Sequence, residues 1–239
     1  MSKCNRYIFL IAIIIGACNK PGISVTTPNL IVNGSAEIPD NDSMPAGWTI
    51  VQGSWKGLLI DSNTGIIAIP KEGKNLFFEG QDSLGILQQD INVGQFSQTI
   101  DNHDRPFIFS GYVQSLDQGS PSDQTKISIT CLDSLKRNDL YTFNSEVLES
   151  KNNWHRVTDT FIAPASTRFV RIQLTAVRWV GMDNDGYFDN ISLVSGTQQP
   201  AQQSLWMIII VLIVIVLAIV ILLRRKINAP VTIKKEHNE

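Results

Sequence analysis

LIVNGSAE, residues 30–37, opens with three apolar residues in the manner of a buried strand, turns at Asn33-Gly34 and sets a carboxylate, Glu37, just past the turn. Asn-Gly is a strong turn signal because both residues accept the left-handed backbone. An apolar run that ends this way needs a partner to bury it, and the acid beyond needs a reason to sit beside a core. Both must be sought elsewhere in the chain.

Outward from this stretch, over residues 29–194, the segments are short, rich in β-branched and aromatic residues, and punctuated by Gly, Asn-Asp and Pro. That pattern reads as an all-β sandwich, and no helical period is convincing before residue 205. Alternation assigns the faces. In PFIFSGYVQSL (106–116), Phe107, Phe109, Gly111 and Val113 share one side, and Ile108, Ser110, Tyr112 and Gln114 the other. In KISITCL (126–132), Ile127, Ile129 and Cys131 point inward. In RFVRIQLTA (168–176), Val170, Ile172, Leu174 and Ala176 face in, while Phe169, Arg171, Gln173 and Thr175 face out. The domain of about 165 residues has room for a proper core.

The ends of the chain have a different character. Residues 1–18 carry Lys3 and Arg6 ahead of an apolar run and a small-residue exit, the order of an export signal. Ile15-Gly16-Ala17-Cys18 resembles the lipobox of bacterial lipoproteins, which implies lipidation of Cys18; ordinary cleavage and an uncleaved anchor are the alternatives. Residues 205–223, LWMIIIVLIVIVLAIVILL, are 19 residues without a charge. As a helix they extend about 28 Å, enough for a single transmembrane α-helix. Arg224, Arg225 and Lys226 follow at once, so the tail 224–239 is expected in the cytoplasm and Trp206 at the outer interface. A tether (19–28) and a Gln/Pro/Ser linker (195–204) complete the division. The expected location is the cell membrane, with the main domain extracytoplasmic and the bilayer as one partner.

Between 19 and 204 there are 13 Lys/Arg and 20 Asp/Glu, net −7. An acidic exterior argues against nucleic acid as a partner, since phosphate binding needs clustered cations. Of Cys4, Cys18 and Cys131, only the last lies in the exterior domain, so that domain has no internal disulfide.

The stretch PNLIVNGSAEIPDNDSMPAGW (28–48) resembles the opening of galactose-binding-like jelly-roll domains, including several carbohydrate-binding modules. GKNLFFEG (73–80), LQQDINV (87–93), NNWHRVTDTFIAPASTRFVRIQLTA (152–176) and GYFDNISLV (186–194) follow in that family's order, so the likeness runs the length of the domain. It implies a jelly-roll β-sandwich whose first and last strands pair, bringing together Glu37 and Asp189. Family members often hold a structural calcium (Ca2+) there, and two carboxylates with backbone carbonyls are suitable oxygen ligands. The plain alternative is a solvated Glu37 and an ordinary bulge at Asp189-Asn190. Ala36, where the family usually has an aromatic, is a departure. DNDG (183–186) fails as a helix-loop-helix calcium loop, because that register puts Gly181 and Ser192 at ligand positions.

Catalysis finds little support in the residues. His103 and His155 have no second histidine at ligand spacing and no nucleophile motif, and no Gly-rich phosphate loop precedes a helix. For binding, Tyr112 and Gln114 with Arg171 and Gln173 would line a groove if their strands share one concave sheet, and Trp55 and Trp179 would add stacking surfaces. Packing beneath a loop is the alternative for each aromatic, and Trp48 and Trp154 read as framework. The expectation is a membrane-anchored, noncatalytic module for carbohydrate (a glycan). The alternative is a surface protein–protein interaction or adhesion module on the same fold.

Overall fold

The computed structural model describes residues 22–39, 44–60, 68–198, 212–221 and 224. Its segments of alternating pattern become antiparallel strands: β1 (Ile23–Val25), β2 (Thr49–Gln52), β3 (Lys56–Leu59), β4 (Asn75–Gly80), β5 (Leu84–Asn92), β6 (Pro106–Ser115), β7 (Gln124–Leu132), β8 (Asp139–Asn144), β9 (His155–Ile162), β10 (Phe169–Val177) and β11 (Asn184–Gln198). One sheet has the order β3-β4-β11-β6-β9 with β1 added on β11, and the other β2-β5-β10-β7-β8. From β4 to β11, consecutive strands alternate between the sheets until β7, β8 and β9 reverse the path, which is jelly-roll winding. A short helical turn, Gly94–Phe96 and Ser97–Asp101, interrupts the expectation of no helix before residue 205.

The core forms where alternation places it. Phe107, Phe109 and Val113 of β6, Ile127, Ile129 and Cys131 of β7, and Val170, Ile172, Leu174 and Ala176 of β10 are all buried in one cluster with Phe77, Leu87, Phe188 and Leu193. Each fully buried aliphatic or aromatic side chain contributes about 1.5–3 kcal/mol. Trp48 closes this core, edge-on to Phe77 at 5.0 Å, with its Nε1 donating to the Val32 and Asn33 carbonyls. Burial pushes the Cys131 thiol up to about 12, so it packs as a small apolar group.

The compact unit runs Ile23–Gln198, longer at both ends than the sequence suggests. Ile23–Val25, read above as tether, pair with Gly196–Gln198, read as linker. A backbone ladder does not require an apolar pattern, and Gly196-Thr197-Gln198 carries none. The chain therefore enters and leaves the sandwich at one end.

Residues 30–33 depart from the expected strand. They follow β11 as a bent segment: Leu30 N–H donates to the Leu193 carbonyl, and the Asn29 side chain bridges Ile191 and Leu193. The Val32 backbone is held by a buried side chain, with Gln89 both accepting from its N–H and donating to its C=O at 2.9 Å. Hence Ile31 is buried and Val32 exposed. Asn33 takes the left-handed backbone at φ 53° and bonds Ile38 reciprocally through its side chain. Gly34 presses its backbone on β11, its carbonyl accepting from Ile191 N–H at 2.8 Å, where an added Cβ would meet the Ile191 oxygen at 2.1 Å. The apolar run stops at Asn33-Gly34 because the chain turns onto the last strand there.

Residues 1–18, Cys18 among them, and residues 199–211 lie outside the described residues. Of the expected span 205–223, residues 212–221 are helical and exposed. Among the described residues no helix is long and apolar enough to cross a membrane.

Candidate functional site

Glu37 and Asp189 close on the same five residues, Lys71–Asn75. Asp189, completely buried on β11, accepts the N–H groups of Lys71 (2.5 Å) and Glu72 (3.0 Å) on Oδ2 and of Asn190 (2.6 Å) on Oδ1. The exposed Glu37 accepts those of Lys74 (2.8 Å) and Asn75 (2.6 Å) on Oε1. Ser35 donates to Glu72 at 3.0 Å. The two acids thus fasten one loop from both sides, although 151 residues lie between them in sequence. Burial pushes the Asp189 carboxyl up to about 6, and its amide hydrogen bonds only partly offset that. Ala36 is fully buried here; a small side chain suits a backbone at φ 55° whose carbonyl accepts from the Asn75 amide.

Asp189 Oδ2 and Glu37 Oε1 each accept two amides, so the lone pairs left to a hard cation would be those of Asp189 Oδ1 and Glu37 Oε2. Among the described residues no group of three or more His, Cys, Asp or Glu side chains is disposed to hold a metal ion. A cation at Glu37 and Asp189 would take its remaining ligands from backbone carbonyls and water.

The two expected groove pairs stand on different sheets. Tyr112 and Gln114 belong to β6, in the sheet of β4 and β11, whereas Arg171 and Gln173 belong to β10, in the sheet of β5 and β7. They form no common groove. Tyr112 is half-buried with the Lys71 ammonium 5.3 Å from its ring, and Gln114 is buried where segment 150–152 folds over the end of β6 and bonds Ser115 and Asp117. Trp55 is also no surface residue. It is buried against Phe188, ring centroids 5.7 Å apart, and its Nε1 donates to the Gln52 carbonyl.

A second apolar layer explains this asymmetry. Outside the six-stranded sheet Ala68, Leu76, Phe78 and Tyr187 form a cluster with Leu58, Ile60 and Trp154 packed on it. Phe78 stacks on Tyr187, and Trp154 Nε1 donates to the Ile69 carbonyl, binding the loop over the sheet.

The five-stranded sheet carries the polar face. Register aligns Thr49, Gln88, Gln173, Ser128 and Asn144 in one row across all five strands. Gln173 donates to Gln88 at 2.9 Å and Ser128 to Asn144 at 2.8 Å. The neighbouring row contains Asp90, Arg171, Thr130 and Thr142. Arg171 grips Asp90 through Nε at 2.7 Å and Nη2 at 3.0 Å, and Lys136 Nζ reaches the same carboxylate at 2.9 Å while lying over the Phe169 ring. Burial raises the Asp90 carboxyl, but Arg171 and Lys136 outweigh it and hold it below the usual range. The result is a pre-positioned set of amides, hydroxyls and one guanidinium.

Sequence reading found Arg171 and Gln173 in this set and missed Gln88, Asp90, Ser128 and Asn144. The available signal was the outward parity of Gln88 and Asp90 in LQQDINV and of Ser128 in KISITCL. Only strand register shows that they align.

Trp179 is 58% exposed and Met182 82%, on the loop between β10 and β11. Buried Asp123 fixes that loop by accepting the N–H groups of Trp179 (2.7 Å), Val180 (3.1 Å) and Asp185 (2.8 Å). Of the aromatics expected to stack on a ligand, Trp179 is the one with a free face.

No protein-family model matches the chain, and no curated protein matches it. Among solved structures it is similar to a family 16 carbohydrate-binding module, with 17% identity over 70% of this chain and 99% of that one, TM-score 0.47. It is similar to TmCBM61 in complex with β-1,4-galactotriose, with 11% identity over 70% and 98% of the two chains, TM-score 0.45. A cyclase from Fischerella sp. TAU is similar at 12% identity over 75% and 100%, TM-score 0.48.

Proposed function

We propose that this protein is a noncatalytic binding module, held at a membrane by its C-terminal helix, that presents the outer face of its five-stranded sheet to a carbohydrate. The observation that carries the reading is the row Gln88, Gln173, Ser128, Asn144 beside the Asp90–Arg171–Lys136 cluster. Adjacent strands lie about 4.8 Å apart, so polar groups repeat along the row at the spacing of successive sugar units. Such groups match ring hydroxyls, and Trp179 at the end of β10 offers an apolar face to sugar C–H groups.

Membrane attachment rests on the uncharged run 205–223 and the basic cluster behind it, with the helix at 212–221 as its described part. Lipidation of Cys18 would add a second anchor to a domain whose two ends already lie together. Calcium belongs to the same reading: it would neutralise the buried Asp189, for which no Lys or Arg pairs among the described residues, and would be shared with Glu37.

A glycan array probed with the full chain tests the proposal. Binding that disappears in Arg171→Ala and Gln173→Ala and persists in Tyr112→Ala supports the face named here. No sugar bound at millimolar protein would turn the assignment to the second reading, a protein partner, which the exposed Trp179–Met182 tip favours.

A further inference from the structure

A cavity of about 460 Å³ opens near the start of β11, at the end of that strand opposite Gln198, where the chain leaves the sandwich. Its lining includes Lys56, Leu58, Phe78, Gln81, Asp183 and Asp185. The volume falls in the ~300–1,000 Å³ range of small-molecule sites. The strands that form it, β3, β4 and β11, belong to the six-stranded sheet, so it shares nothing with the polar row of the other sheet.

The walls come from three segments that are tied to one another. Ser54, between β2 and β3, donates from Oγ to Asp82 Oδ2 on the β4–β5 turn at 2.8 Å. Arg178 Nη1 joins that turn to the β10–β11 loop by donating to the Gln81 carbonyl at 2.6 Å and to the Met182 carbonyl. Buried Asp123 holds the same loop through the N–H groups of Trp179, Val180 and Asp185. Walls fastened in this way are set before a ligand arrives, which spares part of the ordering cost of binding.

Strand register aligns Lys56, Phe78 and Tyr187 across β3, β4 and β11. Phe78 stacks on Tyr187 and, with Leu58, gives the cavity an apolar floor. The Lys56 ammonium stands 5.2 Å from the Phe78 ring centroid and forms no ion pair among the described residues, so its N–H groups are available to an acceptor. Asp185 is positioned by two donors, the Tyr187 O–H on Oδ1 at 2.8 Å and Gln118 Nε2 on Oδ2 at 3.0 Å. Each of its oxygens keeps a lone pair for one further donor. Asp183 is exposed at the rim. An anion would meet two carboxylates here, and a bare cation would meet Lys56. Neutral hydroxyls suit both, because they donate to the carboxylates and accept from the ammonium, and a sugar ring adds a C–H face for the floor.

We propose that this cavity is a second sugar site, taking one hexose unit at the end of a glycan, with its hydroxyls on Asp183, Asp185 and Lys56 and its C–H face on Phe78 and Leu58. The class of ligand rests on the carbohydrate reading above, but the site is separate. The row on the five-stranded sheet lies open along its length and suits the interior of a chain, whereas a cavity walled by three segments suits a chain end.

The test uses the full chain carrying Arg171→Ala, so that the five-stranded face does not contribute. Methyl galactoside and methyl glucoside at millimolar concentration are the probes, with methylamine as the control for a bare cation. Calorimetry should detect at least one hexoside. Lys56→Met and Asp183→Ala should each weaken it about tenfold, the size expected for a hydrogen bond to a charged group, and should leave the melting temperature unchanged because both side chains are exposed. Nuclear Overhauser contacts between the sugar C–H protons and the Phe78 ring, which need no variant, should appear. Failure of both hexosides to bind, binding that Lys56→Met and Asp183→Ala leave intact, or binding of methylamine in place of a hexoside overturns the proposal. The two sites fail separately. Array binding that depends on Arg171 while no hexoside binds here overturns the cavity alone, and a hexoside held here with no array glycan depending on Arg171 removes the face alone.

Discussion

Arg171 and Tyr112 both stand on the outer side of a well-formed central strand, and the alternation that puts them there is the same. On β10 the outward side chains stay partly exposed and bond one another across strands. On β6 they meet a second layer, in which Lys71 caps Tyr112, segment 150–152 crosses the strand end, and Phe78, Tyr187 and Trp154 pack nearby. Pointing away from the core is therefore not the same as facing solvent. The comparison teaches that a sandwich has one outer face free for a ligand when its loops and chain ends are committed to the other.

The strongest way to break that comparison is to truncate an aromatic that it calls internal. Trp55→Ala should cost about 3–5 kcal/mol of stability, the range for deleting a buried aromatic, measured by urea unfolding. A loss below about 1 kcal/mol would mean that Trp55 is a surface residue after all.

Removal of a polar side chain from the open face should act on binding rather than folding. Arg171→Ala and Gln173→Ala should each weaken the glycan identified by the array about tenfold, equivalent to about 1.4 kcal/mol, by calorimetry. Tyr112→Ala should leave that affinity unchanged, and equal losses from both sheets would erase the distinction between the faces.

Asp189 sharpens the comparison through pH. Its folded value of about 6 lies above the ordinary carboxylate range, so the folded domain binds a proton more tightly than the unfolded chain. In chelator the contribution of Asp189 to the melting temperature should be complete below the ordinary carboxylate range and be lost as pH rises through about 6. Asp189→Asn should reduce that loss, and added calcium should raise the melting temperature most at neutral pH. A calcium-insensitive melt across this window would remove the metal from the proposal.

Trp179→Ala should produce the smallest change in stability, within about 0.5 kcal/mol, because a surface side chain away from special features contributes little. If the tip joins the glycan surface, affinity falls while the urea midpoint does not.

The inward positions of β6, β7 and β10 were legible because a period of two is a local property, set by the pleat of each strand. The opening stretch was legible only in part. Its turn is written in Asn33-Gly34, but residues 30–33 are held by Gln89, Asn29 and one face of β11 rather than by a regular ladder. Glu37 and Asp189 were paired through resemblance to a family; their contacts with the amides of Lys71–Asn75 belong to a loop with no distinguishing pattern of its own. Gln88, Ser128 and Asn144 each look ordinary on their own strand, and the row exists only through register.

The sequence by itself determined the all-β character and the inward residues of the central strands, since these follow from composition and from a pleat that repeats over a few residues. Tertiary structure decided which outward residues remain available, because burial outside a sheet depends on loops arriving from distant parts of the chain. It likewise decided that Trp55 is packed and Trp179 free: whether an aromatic finds a second surface to bury against is a property of the assembled layers and of no single strand.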